Sequence, residues 1–295
     1  MRYATTHHCL AIFIAKVVLM NSAAMASPAP VASVLIPPLN ISTAPALLRA
    51  SLFLPEGDGP HPAVVMLHGC SGAYGKDGRL NARHAMWGTT LAAKGYVALM
   101  LDSFSARGVQ QLCTIRFADR SIKEADRIGD AYAALVYLRQ LPQVDGQRVA
   151  VLGWSHGGGV TLDTITHRPE SASTGNGFRA AIAFYPSCTS RSKRAASFHP
   201  YAPLLLIMGE ADDWTPVAPC KALAAAVSAR GEPMQIVTYP DTYHDFDNPG
   251  LSTKRLRTDV PNGMNAGSGV TVAPDPEARE DAKLSVIAFL AEQMR

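Results

Sequence analysis

Three short stretches of this sequence carry side chains suited to proton transfer: "GWSHGG" with Ser155, "GEADDW" with Asp212 and Asp213, and "YHDF" with His244. A serine hydroxyl is a weak nucleophile until a base takes its proton, and an imidazole, titrating near neutrality, can do so. A carboxylate must then hold the imidazole in the right tautomer and stabilise its cation, a task open to either Asp212 or Asp213. Gly153 and Gly157 box Ser155 in the pattern G-x-S-x-G, which fits a strained strand-to-helix turn that lifts the hydroxyl clear of a sheet. Attack on an ester carbonyl would create an oxyanion, which needs preorganised N–H donors in a water-poor site. The backbone N–H of His156 is one candidate, and the loop "HGCSG" (68–72) offers another at Cys70.

The elements that must hold these residues read as an alternation. Apolar, short runs at 50–55, 63–69, 96–102, 148–154, 180–186, 203–210 and 234–240 have the character of strands, several apolar on both faces as in a covered parallel sheet. Between them, helical patterns occupy 84–95, 119–140, 158–167 and 219–230, and a last one closes the chain at 276–295. In the second helix Ile122, Ala125, Ile128, Ala131, Leu135 and Leu138 fall three or four apart and form one apolar stripe. Strand and helix in alternation mean an α/β architecture with a mostly parallel sheet. Ligands of such sheets lie beyond the carboxyl ends of the strands. Ser155, the Asp212–Asp213 pair and His244 each follow a strand end, in the chain order serine, acid, histidine. Residues 248–274 lack clear periodicity and read as a functional flap or a disordered insert.

The motifs "HGCSG", "LDSFSARG", "GWSHGG", "MGEADDWTP" and "YHDF", in this order, resemble those of the α/β-hydrolase superfamily, and more closely the dienelactone hydrolase family, over roughly residues 46–295. The resemblance implies an α/β-hydrolase fold, a mostly parallel central sheet flanked by helices on both faces. It implies Ser155 as nucleophile, His244 as base and Asp212 as acid, with the N–H groups of Cys70 and His156 sharing the oxyanion hole. Asp213 is then expected to cap a helix or steady its loop, and His68 to support the oxyanion loop. Arg107 resembles, with an offset of one residue, an arginine with which the family binds a substrate carboxylate, and Trp154 and Tyr185 are further candidates for a substrate pocket. Ser155 stands where dienelactone hydrolases usually carry cysteine, and Gly69 where they carry glutamate, which points toward broader ester hydrolysis. The expected activity is cleavage of a small carboxylic ester or lactone through an acyl-enzyme, without metal or organic cofactor. Alternatives are a peptidase or amidase of the same superfamily, an acyltransferase, and a non-catalytic binding protein on the same scaffold.

Composition fits this reading. The 295 residues are 47% hydrophobic and 17% charged, enough for a full core, and a formal charge of +3 without a dense basic stripe gives no footprint for nucleic acid. The basic runs "SRSKR" (190–194) and "TKRLR" (253–257) read as solvated loop charge. At the N-terminus Arg2, the apolar run 9–20 and "AMA" (24–26) form the pattern of a cleaved signal peptide over residues 1–26, so export to the periplasm or beyond is expected, with no stable membrane insertion afterwards. Residues 27–45 read as a linker or extended lead-in, and 46–295 as one hydrolase domain. Loss of Cys9 with the signal leaves Cys70, Cys113, Cys188 and Cys220, which allow two disulfides in three connectivities. Pairing of Cys70 with Cys113 and of Cys188 with Cys220 suits loops on neighbouring strand ends. No cysteine spacing suits a structural zinc, and oligomeric state is left open.

Overall fold

The computed structural model describes residues 1, 31–39, 47–167 and 177–295, so the expected signal peptide lies outside the described residues. Eight strands form the main sheet: β1 Val31–Ile36, β2 Leu48–Phe53, β3 His61–Leu67, β4 Val97–Leu101, β5 Val144–Trp154, β6 Ala180–Phe184, β7 Leu204–Gly209 and β8 Met234–Tyr239, in the spatial order β1-β2-β4-β3-β5-β6-β7-β8. β1 and β2 run antiparallel to their neighbours, and every pair from β4 to β8 is parallel. Side chains of a strand alternate between faces, yet every residue of β4, β6 and β7 is buried. Both faces of the sheet are therefore covered, as the continuous apolar runs require. Among the described residues six helices accompany the strands: α1 Ala82–Ala93, α2 Ile128–Arg139, α3 His156–Thr164, the short α4 Thr189–Ser192, α5 Val217–Ser228 and α6 Pro276–Gln293.

β3 lies between β4 and β5, so the connections leaving the carboxyl ends of β3 and β5 diverge, one toward β4 and the other toward β6. The crevice formed there is where an open parallel sheet binds ligands. Leu67 at the end of β3 pairs in register with Gly153 near the end of β5, which sets the "HGCSG" loop beside Ser155. A Cβ placed on Gly69 would stand 3.3 Å from the Trp154 carbonyl oxygen and 3.5 Å from the Ser155 Cβ.

Three expectations change. The stretch read as a lead-in contributes Val31–Ile36 as an edge strand on which Ser33 and Leu35 are exposed while Val34 is half-buried and Ile36 buried. The helix expected from 119 starts only at Ile128, preceded by one separate helical turn at Phe117–Asp119 and a 3-10 turn at Ala125–Arg127 that leads into it; Ala125 of the apolar stripe is exposed and Arg127 is buried in its stead. Residues 248–274 are ordered, with β9 Arg255–Arg257 pairing antiparallel to β10 Val270–Val272. Beside the main core, a smaller apolar cluster joins this segment (Leu251, Val260, Val270, Val272) to Trp214, Cys70, Cys113 and Phe104. It glues together loops that stand above the sheet.

Candidate active site

Ser155 occupies the turn between β5 and α3 with φ of 51° and ψ of −113°, a left-handed conformation that costs a non-glycine residue on the order of 1–3 kcal/mol. Its N–H donates to the Phe184 carbonyl at 2.9 Å, and its carbonyl accepts from Gly159 N–H at 2.9 Å, so the strained residue is bonded on both sides. The flanking glycines are needed for space. A Cβ on Gly153 would meet the Gly157 carbonyl oxygen at 2.2 Å, and one on Gly157 would meet that of Leu67 at 2.1 Å. Crossing backbones, then, explain the G-x-S-x-G pattern here.

His244, 1% exposed, donates from Nδ1 to Asp212 Oδ2 at 2.7 Å, which leaves Nε2 as the proton-accepting nitrogen. Asp212 Oδ1 accepts from the N–H groups of Trp214 (2.9 Å) and Thr215 (2.8 Å). Thr215 Oγ1 lies 2.9 Å from Asp212 Oδ2, 3.1 Å from His244 Nδ1 and 3.0 Å from the Tyr185 carbonyl oxygen. Burial works to lower the His244 pKa, but the Asp212 charge and hydrogen bond outweigh it and raise it above 6.5. Trp214 and Tyr185 press on the imidazole with ring centroids at 4.6 and 4.4 Å. The loop behind it is tied to the insert: His244 bridges in parallel to Val272, and its carbonyl accepts from Ala273 N–H at 3.3 Å.

Asp212, not Asp213, faces the histidine. Asp213 Oδ1 accepts from Thr271 N–H and Oδ2 from the Thr271 hydroxyl, both at 2.7 Å, so it steadies the insert against the acid loop. His68 is fully buried. It donates from Nδ1 to the Gly69 carbonyl at 2.8 Å and accepts the Ser103 N–H on Nε2 at 3.1 Å. Burial, assisted by Arg127, pushes its pKa well below 6.5, so the ring is a neutral brace and its 3.9 Å approach to Asp102 is not an ion pair.

A narrow cleft reaches Ser155 between Cys70, Trp214, Ser187 and the pair Phe117 and Arg120. Sharing Arg120, Ser187 and His156, it continues into a cavity of about 430 Å³ that also meets Lys123, Arg191 and Arg194. "SRSKR" is thus partly a site wall rather than solvated charge: Arg191 pairs with Glu124 at 2.6 Å and Asp163 at 2.8 Å. Arg120 is 5% exposed, lies over the Phe117 ring, and its Nη2 has no hydrogen-bond partner among the described residues. Burial lowers its pKa to about 10, with Glu124 partly offsetting.

Three expected pocket residues line neither this cleft nor this cavity. Arg107 forks onto Asp130 at 2.8 and 2.9 Å and donates to the Ser103 carbonyl at 2.6 Å, which commits its guanidinium to the fold. Trp154 and Tyr185 are fully buried, and both donate to Asp247. Sequence reasoning missed Asp247 itself, a buried carboxylate that accepts from Trp87 Nε1 (2.8 Å), Trp154 Nε1 (2.9 Å) and the Tyr185 hydroxyl, with Arg83 Nε at 3.5 Å. The acid-rich run "YHDFD" was the available signal: Asp245 and Asp247 both meet Arg83. Thr215 was equally missed, although it lies within the quoted motif "MGEADDWTP".

Among the described residues no group of three or more His, Cys, Asp or Glu could hold a metal ion, and no helix is long and apolar enough to cross a membrane. The family model for the dienelactone hydrolase family matches residues 48–294. The chain belongs to the dienelactone hydrolase family. It is 24% identical over 207 residues to a Methylorubrum extorquens protein described as a carboxymethylenebutenolidase, covering 65% of this chain and 66% of that one. It is 23% identical over 234 residues to an uncharacterized peptidase of Bacillus subtilis, covering 68% of this chain but 34% of the relative. The chain therefore spans about a third of one curated relative's length and about two thirds of the other's. A Klebsiella pneumoniae structure described as a dienelactone hydrolase superposes with a TM-score of 0.67 at 18% identity, over 89% of this chain and 98% of that one. Esterase 2 of Thermogutta terrifontis, phosphorylated by paraoxon, superposes with a TM-score of 0.61 at 20% identity, over 89% and 94%. The expected fold class, an α/β-hydrolase sheet, stands.

Proposed function

We propose that this dienelactone hydrolase family member is a serine hydrolase that cleaves small carboxylic esters, lactones included, through an acyl-enzyme on Ser155. The observation that carries the reading is the His244 to Asp212 contact of 2.7 Å at the carboxyl ends of the same sheet whose elbow presents Ser155. His244 Nε2 takes the Ser155 proton as Oγ attacks the ester carbonyl, and Asp212 stabilises the imidazolium that results. The N–H groups of Cys70 and His156 receive the oxyanion. Collapse of the tetrahedral intermediate returns the proton to the leaving alcohol, and water repeats the sequence against the acyl-enzyme with His244 again as base. The relation to a carboxymethylenebutenolidase and to an esterase supports ester and lactone chemistry. The leader pattern of residues 1–26 and two disulfides, Cys70–Cys113 and Cys188–Cys220, support export to an oxidising compartment.

Intact-protein mass spectrometry after fluorophosphonate treatment tests the reading. One adduct on the wild type that is absent from Ser155→Ala, with matching loss of turnover on a panel of esters and lactones, is expected. A folded wild type that takes no adduct refutes it.

A further inference from the structure

Both backbone donors proposed for the oxyanion are fastened to one segment, the connection between β4 and α2 that spans residues 102–127. Cys70 is held twice: its sulfur is bonded to Cys113, with Cα atoms 4.9 Å apart, and its carbonyl accepts from Leu112 N–H at 2.7 Å. His156 is held through its ring. Its Nδ1 accepts from Arg127 Nη1 at 2.8 Å, and the Ile122 backbone acts to raise its pKa. Burial, with Arg127 next in weight, keeps the His156 pKa well below 6.5, so the ring is neutral: one nitrogen accepts and the other can donate. Arg127 is wholly buried beside Phe104 with its guanidinium carbon 5.1 Å from the ring centre, and its Nε and Nη2 have no partner among the described residues. Burying a cation that leaves donors unused is costly, and the bond to His156 is what it secures at this end.

The second disulfide makes the contrast. Cys188 and Cys220 join the loop after β6 to α5, and the bridge engages neither donor. An oxyanion hole works only if its donors stand about 2.7–3.1 Å from the developing charge. Loops above a sheet are the mobile part of such a fold. We infer that Cys113 and Arg127 are positioning residues for the acylation step, which hold the N–H groups of Cys70 and His156 at the spacing that the tetrahedral intermediate requires. The inference rests on the ester-hydrolase reading of this site.

Removal of a whole oxyanion donor costs about 10²–10³ in kcat, so loosening one is expected to cost about 10-fold to 100-fold. The test compares Cys113→Ser, Arg127→Met and the pair Cys188→Ser with Cys220→Ser on one activated ester, and measures the affinity of each for an aryl boronic acid that forms a tetrahedral adduct on the serine. Cys113→Ser and Arg127→Met should each lose about 10-fold to 100-fold in kcat, with KM within about threefold and boronate affinity falling in step with kcat. The Cys188/Cys220 pair should lose thermal stability and keep kcat within about twofold. If Cys113→Ser does not fold, selective reduction of the remaining bridge in the Cys188/Cys220 variant supplies the same comparison. Wild-type kcat in the Cys113 and Arg127 variants overturns the inference, and so does a kcat loss without weaker boronate binding. A wild type inert toward esters and fluorophosphonate instead overturns the ester-hydrolase reading, which the variants do not probe.

Discussion

Asp212→Asn separates catalysis from stability at this site. Oδ1 of Asp212 receives two backbone N–H bonds, from Trp214 and Thr215, while Oδ2 faces His244. In the asparagine variant the amide oxygen must take the place of Oδ1, because the reverse orientation would strand two buried N–H donors at about 1–3 kcal/mol each. The NH₂ group is thereby forced onto His244 Nδ1. An NH₂ there can only donate, so Nδ1 must become the acceptor and the proton moves to Nε2. That tautomer cannot take a proton from Ser155. In a serine protease this error lowers kcat by about 10⁴, equal to about 5.5 kcal/mol of barrier. The same loss is expected here, with urea unfolding shifted by less than about 1 kcal/mol, since the backbone bonds to Oδ1 and the Thr215 hydroxyl contact persist. Steady-state kinetics on an activated ester, paired with urea titration followed by tryptophan fluorescence, supplies both numbers. An Asp212→Asn enzyme within tenfold of wild type would refute the assignment of Asp212 as the residue that sets the tautomer of His244.

Two more consequences follow from buried charge. Because Asp212 raises the His244 pKa above 6.5 against the pull of burial, kcat/KM should fall about tenfold per pH unit below that raised value, and Asp212→Asn should move the limb to lower pH. The sign for stability is opposite: a histidine whose folded pKa is raised contributes stability that is full below its unfolded pKa and lost as pH rises through the folded value. A pH–rate profile with its acid limb below pH 6 would contradict the first statement. Asp247→Ala removes the acceptor of two indole N–H groups and a phenol and leaves Arg83 with Asp245 alone. Stranded buried donors and a broken buried ion pair predict a loss of about 3–5 kcal/mol from a total that is usually about 5–15. Urea unfolding that shows less than about 1 kcal/mol would mean that the indoles find other partners.

The sheet and the order of its chemical residues were legible because each depends on local pattern. Short apolar runs such as "AVVML" and "PLLLIM" have the length and composition of covered strands, and Ser155, Asp212 and His244 follow the ends of such runs. What escaped depends on contacts between distant segments. Trp154 and Tyr185 read as pocket aromatics because nothing local reveals that Asp247, 93 and 62 residues away, takes their polar atoms. Arg107 read as a substrate ligand because Asp130 lies on the next helix, and its bidentate fit is a tertiary fact. The helix before Ile128 was overestimated since "DRSIKEAD" has good helix formers, and the loop instead carries Arg120 and Ile122 to the site wall. β9 and β10 are three residues each, too short for a period of two to show.

The loops of this site are secured by different means, each matched to what its residue must do. Ser155 has to project from the sheet, and strain does that work: a positive φ is held because Gly153 and Gly157 let backbones cross without a Cβ between them. As the proposed base, His244 has to keep one ring orientation while its charge changes, and its loop is anchored by charge on both following acids. Arg83 meets Asp245 and Asp247 and is itself held protonated by Asp245, Tyr185 and Asp247 against the cost of burial. A fixed cation behind that loop can keep it in place through both protonation states of the imidazole, which a bond to the imidazole alone could not do. On the proposed ester-hydrolase reading, the N–H groups of Cys70 and His156 have to hold a spacing, and a backbone N–H offers no side-chain handle of its own. Hence the covalent tie at Cys70 and the guanidinium tie at His156, both made through side chains whose chemistry the reaction does not consume.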